Sequence, residues 1–212
     1  MLYSKKTVEQ AISSGFVLSP REAAENTLVV RAQAGETLAF DELVRTYRER
    51  LYSVVLNLTN HPEDAADLTQ EVFIKAFANI RKYNFQSSFY TWLYRIAVNQ
   101  SFNFLRRARR KRMLKFEYFR RDEDSAEDPL GRLADNSVRL PNSGSEELKA
   151  QLDRALEKLS DEHRAVVVLS EIEGLPLDEV AQVVGASEGT VKSRLHYARK
   201  ALQKLLKPYL SQ

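Results

Sequence analysis

The chain contains no cysteine, so disulfides and thiolate metal ligands are both excluded, as fits a reducing cytoplasm. Three histidines in 212 residues leave no imidazole-rich ligand set, and no phosphate-cradling glycine loop or nucleophile elbow is present. No apolar run reaches the length of a bilayer span, and the N-terminus has no apolar core with a small-residue cleavage site. The expectation is a cytoplasmic protein with no direct membrane insertion and no cofactor. Nothing alternates with period two for long enough to make a sheet, which leaves an all-α chain.

What is present is segregated charge. The net charge is only +3, yet basic residues crowd into Arg106–Arg112 and Lys192–Lys207, and acidic ones into Glu63–Glu71 and Asp122–Asp128. Such segregation points to nucleic acid at the basic stretches and a basic partner for the acidic face, rather than to solvated helix surface alone.

Residues 1–25 show no sustained period and read as an extension. From Ala39, the residues Phe40, Leu43, Val44, Tyr47, Leu51, Val54, Val55 and Leu58 recur at spacings of three and four, giving one apolar helical stripe. Pro62 ends that helix. A second helix turns Leu68, Val72, Phe73, Ala76, Phe77 and Ile80 inward and carries Asp64, Asp67, Gln70 and Glu71 on its other side. After a short polar loop, Asn84 to Ser88, comes a long helix, SFYTWLYRIAVNQSFNFLRRARRKR. Residues 113–147 hold proline, glycine and the acidic run without a strong period, and read as a flexible linker. Helical periodicity returns at Leu148, Leu152, Leu156 and Leu159, and Ser160 reads as the cap of the next helix. The predicted architecture is two small helical domains, residues 26–112 and 148–212, on a tether.

Each domain carries a DNA-binding pattern. In the first, Trp92, Arg95, Asn99, Asn103, Arg106 and Arg110 lie near one line of the helical wheel, opposite Phe89, Leu93, Ala97 and Phe104. Rings, amides and guanidiniums together are the tools for holding an unstacked base beside a duplex. Trp92 by itself is better explained by core packing, whereas an amide such as Asn99 in an apolar stretch needs a partner. In the second domain, Ala181, Gly185 and Val191 have helix-turn-helix spacing, with Ser187 as N-cap of the second helix. Val191, Leu195, Ala198, Leu202 and Leu205 form its apolar stripe, while Lys192, Ser193, His196, Lys200, Gln203 and Lys204 fall opposite, a face suited to the major groove.

DLTQEVFIKAF, then FYTWLYRIAVN, then SEGTVKSRLHYARKAL, in that order, resemble an extracytoplasmic-function (ECF) sigma factor, the smallest class of the sigma-70 family. The resemblance spans about Asn26 to Leu206 apart from the linker. It implies a sigma region 2 bundle and a sigma region 4 helix-turn-helix without region 3, and an initiation factor that brings core RNA polymerase to promoter DNA. By that resemblance Asp67, Leu68, Gln70 and Glu71 would bind core polymerase through its β′ and β subunits. Tyr83, Asn84, Phe85, Gln86, Ser87 and Ser88, with Trp92, Arg95, Asn99, Asn103, Arg106 and Arg110, would meet the −10 element, Asn99 beside a flipped base. Ser187, Glu188, Gly189, Thr190, Lys192, Ser193, Arg194, His196, Tyr197 and Lys200 would meet the −35 element. An anti-sigma factor would mask the polymerase-binding surfaces.

Three further expectations follow. The free chain binds duplex DNA weakly and gains selectivity on polymerase, which fixes the spacing of the two domains. Capture of a base near Asn99 offsets part of the cost of unstacking. Asp122–Asp128 mimics phosphates in a basic RNA path. Two other classes stay open at this level. A plain helix-turn-helix regulator would dimerise on palindromic DNA. A nuclease would use Asp64, Asp67 and Glu71, whose helical spacing brings them together, to hold Mg²⁺.

Overall fold

The computed structural model describes residues 20–121 and 144–210, and every statement below concerns those residues. The elements are α1 (Pro20–Gln33), α2 (Thr37–Thr59), α3 (Pro62–Asn79), a 3₁₀ turn (Ile80–Lys82), α4 (Phe89–Arg121), α5 (Gly144–Glu157), α6 (Asp161–Val167), a π turn (Val168–Ile172), α7 (Leu177–Val184) and α8 (Glu188–Leu210). No strand occurs among the described residues.

The N-terminal bundle forms as its periodicity requires. Phe40, Leu43, Tyr47, Leu51, Val54, Val55 and Leu58 are all buried on α2, against Leu68, Val72, Phe73 and Ala76 of α3. Asn60 closes α2 in the left-handed conformation (φ 55°), its N–H donating to Leu56 O at 2.7 Å, and Pro62 stands in the first turn of α3, where a missing N–H costs nothing. In the C-terminal unit, Ser160 caps α6 by accepting from His163 N, and Gly185 takes φ 66° between α7 and α8.

Several boundaries differ from the sequence reading. The N-terminal extension is shorter than expected, because Pro20 to Gln33 is helix. This helix buries few side chains, notably Val29 and Ala32, so its apolar stripe is too thin to reveal the period. The first expected linker residues, 113–121, continue α4, and α5 already starts at Gly144; arginine and lysine are good helix formers and nothing in that stretch breaks the ladder. Residues 1–19 and the run Asp122–Asp128 lie outside the described residues. Leu148, expected inside, is 49% exposed, and Phe77 is half-exposed, its ring edge-on to Phe40 at 5.0 Å.

The two units also pack against each other. Their buried side chains form one continuous apolar cluster. On α4, Tyr90 and Thr91 donate hydroxyl hydrogen bonds to Glu179 of α7, and Tyr94 donates to Glu173 at 3.0 Å. Arg50 of α2 lies 3.5 Å from the same Glu173, and Arg109 pairs with Asp161 at 2.5 Å. A sequence reading finds no such docking, since every contact joins residues at least 50 positions apart.

The contact makes stability depend on alkaline pH. Burial, with Glu179 adding to it, pushes the Tyr90 hydroxyl up to about 12. Burial also raises Tyr94, where Glu173 adds and Arg50 opposes, and Tyr83, where Glu25 adds. The unfolded phenols titrate near ~10. The folded state therefore holds more protons above that value, so its advantage is full below pH ~10 and is lost as pH rises through the folded range. The unfolding midpoint should stay level to about pH 10 and then fall, with tyrosinate absorbance appearing later than in the Tyr90→Phe, Tyr94→Phe variant's remaining exposed tyrosines. Simultaneous titration of all nine tyrosines near pH ~10 without unfolding would contradict this.

Candidate nucleic-acid and polymerase interface

Three exposed surfaces emerge from this packing. The first runs along α4. With Phe89, Leu93 and Ala97 buried in the bundle, helical geometry turns Arg95, Asn99, Asn103, Arg106 and Arg110 to solvent, and all five are exposed. Trp92 is half-buried against Tyr83 (5.3 Å) and Phe89 (5.7 Å), a packing residue with one edge on this line. Asn99, expected to need a partner for its amide, is instead solvated and requires none from the protein. The buried amide is the next residue, Gln100, whose oxygen accepts from Lys75 Nζ at 2.6 Å. Glu71, Lys75, Gln100, Asn103, Arg106 and Arg107 line a shallow groove between α3 and α4.

The loop before α4 is shaped from inside. Tyr83 is only 5% exposed and donates its hydroxyl to Ser87 O at 2.6 Å, so it holds the loop and offers DNA no surface. This corrects its expected role as a contact. Phe85 adopts φ 61° and lays its ring on Tyr83 at 4.8 Å. Ser88 accepts from Thr91 N and shares a 2.6 Å hydroxyl contact with Thr91, which starts α4. Asn84 and Gln86 are the exposed side chains of the loop, and Ser87 is half-buried.

One residue that matters here escaped the sequence reading. Gln33, at the end of α1, donates to Ile80 O (2.9 Å) and Tyr83 O (2.7 Å) and so pins the 3₁₀ turn that launches the loop. A lone glutamine in a weakly periodic helix gives no pattern to find.

The second surface is the outer side of α3. Asp67, Gln70 and Glu71 are exposed, whereas Leu68 is 3% exposed and belongs to the core. Leu68 therefore cannot touch a partner, a second correction that follows from its facing inward with Val72. Beside the acids lie Ile74 (69% exposed) and Phe77, whose ring meets Phe40 of α2. The spacing 67, 70, 71, 74, 77 puts acids and apolar residues on one helix face, and an apolar centre with a polar rim is how protein interfaces are built. Among the described residues no group of three acidic or histidine side chains is arranged to hold a metal ion, so the Mg²⁺ grouping of Asp64, Asp67 and Glu71 does not assemble.

The third surface is α8. Val191, Leu195 and Ala198 are buried, which leaves Lys192, Ser193, His196, Tyr197 and Lys200 exposed along one side and Arg194 half-buried. Ser187, Glu188, Gly189 and Thr190 are exposed in the first turn, where Ser187 accepts from Thr190 N at 3.2 Å. Lys192 reaches back to Glu188 at 3.4 Å, a weak surface pair that a phosphate would displace. The helix N-terminus, its free N–H groups and the lysines make a surface for anions and base edges.

A bundle with an amide-and-arginine helix, joined to a helix-turn-helix, is a two-part helical protein with an exposed basic surface on each part. Residues 43–111 match the family model of Sigma-70 region 2, and residues 149–202 that of Sigma-70 region 4. The chain is 34% identical over 188 residues to the RNA polymerase sigma-H factor of Pseudomonas aeruginosa, covering 88% of this chain and 95% of that protein. It is 32% identical over 190 residues to the ECF RNA polymerase sigma-E factor of Escherichia coli K12, covering 89% and 97%. Among solved structures, the sigma factor RpoE of Bartonella quintana, bound to the anti-sigma factor NepR, is similar at 26% identity and a TM-score of 0.58, over 79% of this chain and 96% of that one. The fold also matches CnrH in complex with the cytosolic domain of CnrY, at 24% identity and a TM-score of 0.64 over 87% and 98%. The chain belongs to the ECF RNA polymerase sigma factors of the sigma-70 family.

Replacing Gln33 with Ala takes the side-chain donor from the Tyr83 carbonyl and leaves Ile80 O with only the Tyr83 N–H. A loss of about 1–3 kcal/mol in denaturant-derived stability is expected. Fluorescence of Trp92, the chain's one tryptophan, should shift as the Tyr83 packing loosens. An unchanged spectrum and midpoint would show that the loop does not depend on Gln33.

Proposed function

We propose that this sigma factor divides its work among the three surfaces. The outer face of α3, with Asp67, Gln70 and Glu71 around exposed Ile74 and Phe77, docks on core RNA polymerase. Asn84 and Gln86, with Asn99, Asn103, Arg106 and Arg110, hold the opened −10 element. Lys192, Ser193, His196, Tyr197 and Lys200 on α8, with its first turn, read the −35 element in the major groove. The observation that carries this reading is the exposure of the whole Arg95-to-Arg110 line on one side of α4, beside a loop braced by its own aromatic cluster.

Arginines on that line neutralise phosphates and position the strand, while amides supply the donors and acceptors that distinguish bases. Enclosing an extruded base recovers part of the few kcal/mol that unstacking costs. No step requires the protein to make or break a bond, so the factor acts as a non-catalytic subunit in the cytoplasm. An anti-sigma factor holds it inactive by covering the α3 face; the complex in which RpoE is bound to NepR supports such a partner.

The test is run-off transcription by purified protein and bacterial core polymerase on a randomised promoter library. Transcripts enriched for two elements at fixed spacing are expected. DNA binding without transcripts would return the plain helix-turn-helix regulator. Asn99→Ala should lower open-complex formation about tenfold, as one lost base contact predicts, and leave core binding unchanged. Asp67→Lys with Glu71→Lys should do the reverse, cutting core affinity while duplex binding by α8 persists. Loss of both functions in either variant would refute the division.

A further inference from the structure

We propose that Gln33, in the last turn of α1, is a positioning residue for −10 recognition. Its side-chain amide fixes the backbone from which Asn84 and Gln86 reach promoter DNA. The proposal rests on the −10 role given above to that loop.

A glutamine amide carries two N–H donors on one nitrogen. Gln33 Nε2 directs both at one short piece of backbone, Ile80 O at 2.9 Å and Tyr83 O at 2.7 Å. Both partners are carbonyls, so only the nitrogen of the amide can face them. Ile80 O has a second donor, because the Tyr83 N–H closes the 3₁₀ turn onto it at 3.1 Å. No backbone N–H of the described residues supplies Tyr83 O. The amide therefore clamps the exit of the turn, where Tyr83 is extended (φ −71°, ψ 126°). The Tyr83 carbonyl shares one rigid plane with the Asn84 N–H. Holding that oxygen sets the direction in which the chain enters the loop.

The rest of the loop leans on the same tyrosine. The Tyr83 hydroxyl donates to Ser87 O at 2.6 Å, and its ring lies 4.8 Å from that of Phe85. Phe85 stands at φ 61°, a conformation rare for a residue with a Cβ and kept only where its neighbours over-determine it. The Asn84 side chain accepts from Gln86 N at 3.4 Å, a long bond that a base edge can replace.

Helix α1 is itself fixed where the glutamine stands. Val29 and Ala32 are buried, Glu25 accepts the Tyr47 hydroxyl, and Gly35 (φ 100°) ends the helix beside the Arg31–Glu36 pair. Gln33 is half-buried, so exchanging it removes donors without opening a cavity in the core. Recognition needs its groups held within about 0.5 Å of the productive geometry. A loop cut free of Gln33 loses that precision while the bundle keeps its packing.

The test reads base preference, which a merely structural role would not move. Run-off transcription on the randomised promoter library is compared for wild type, Gln33→Met, Gln33→Glu and the loop variant Asn84→Ala with Gln86→Ala, each well below its unfolding midpoint. Met and ionised Glu match Gln in length and donate nothing. Both Gln33 variants should lower the preference at the −10 positions read by the loop about tenfold, with −35 preference and core affinity unchanged. A uniform fall in transcripts with −10 preference intact would overturn the proposal. So would a changed −10 preference in the loop variant with none in the Gln33 variants. Wild-type preference in all of them would overturn the promoter role of the loop, and the proposal with it. On the free chain, amide hydrogen exchange over residues 84–88 should accelerate about tenfold in Gln33→Met, as one lost hydrogen bond predicts, with the cores of α2 and α3 unchanged. Equal protection in both chains would also overturn the positioning role.

Discussion

Helix α4 has to satisfy three different neighbours around one circumference. Phe89, Leu93 and Ala97 bury into the N-terminal bundle, Tyr90, Thr91, Tyr94 and Arg109 meet region 4, and Arg95, Asn99, Asn103, Arg106 and Arg110 face water. At about 100° per residue these sets occupy separate arcs. The division works only because the helix is rigidly held, by Ser88 at its start and by the Tyr83–Phe89–Trp92 packing beside it. Rotating α4 by one residue, so that Arg95 took the place of Tyr94, would bury an arginine and leave Leu93 half-buried in the place of Trp92. The functional face is thus fixed by the core.

The same economy appears in region 4. Val191, Leu195 and Ala198 commit one side of α8 to α6 and α7, and the exposed basic side is what remains. Gly185 is needed because the turn between α7 and α8 demands positive φ. Nothing else in that turn crowds the glycine, so the requirement is conformational, not steric. The π turn at Val168–Ile172 then brings Glu173 to Tyr94 and Arg50.

Ion pairs between the two units, such as Arg109–Asp161, are partly exposed and each contributes little in salt. The weight of the contact lies in buried groups, chiefly Tyr94 and Arg164, where removing one partner leaves a desolvated polar group unpaired.

The sequence alone determined the helices with strong periods, the breaks at Asn60 to Pro62 and Gly185, the two exposed basic stripes and the acidic face of α3, because each depends on residues within a few turns of one another. Membership of the family was legible in the same local motifs. Helix α1 was not, since only Val29 and Ala32 mark its buried side, and neither was the burial of Leu68 and Tyr83 or the solvation of Asn99 beside buried Gln100. Those depend on which way a helix rolls against its neighbours by a fraction of a turn. The grip of Gln33 on the loop before α4 and of Arg164 on Leu58 joins residues 47 to 106 positions apart. Only the tertiary structure decided them, because a hydrogen bond to a distant backbone carbonyl leaves no periodic trace in either segment.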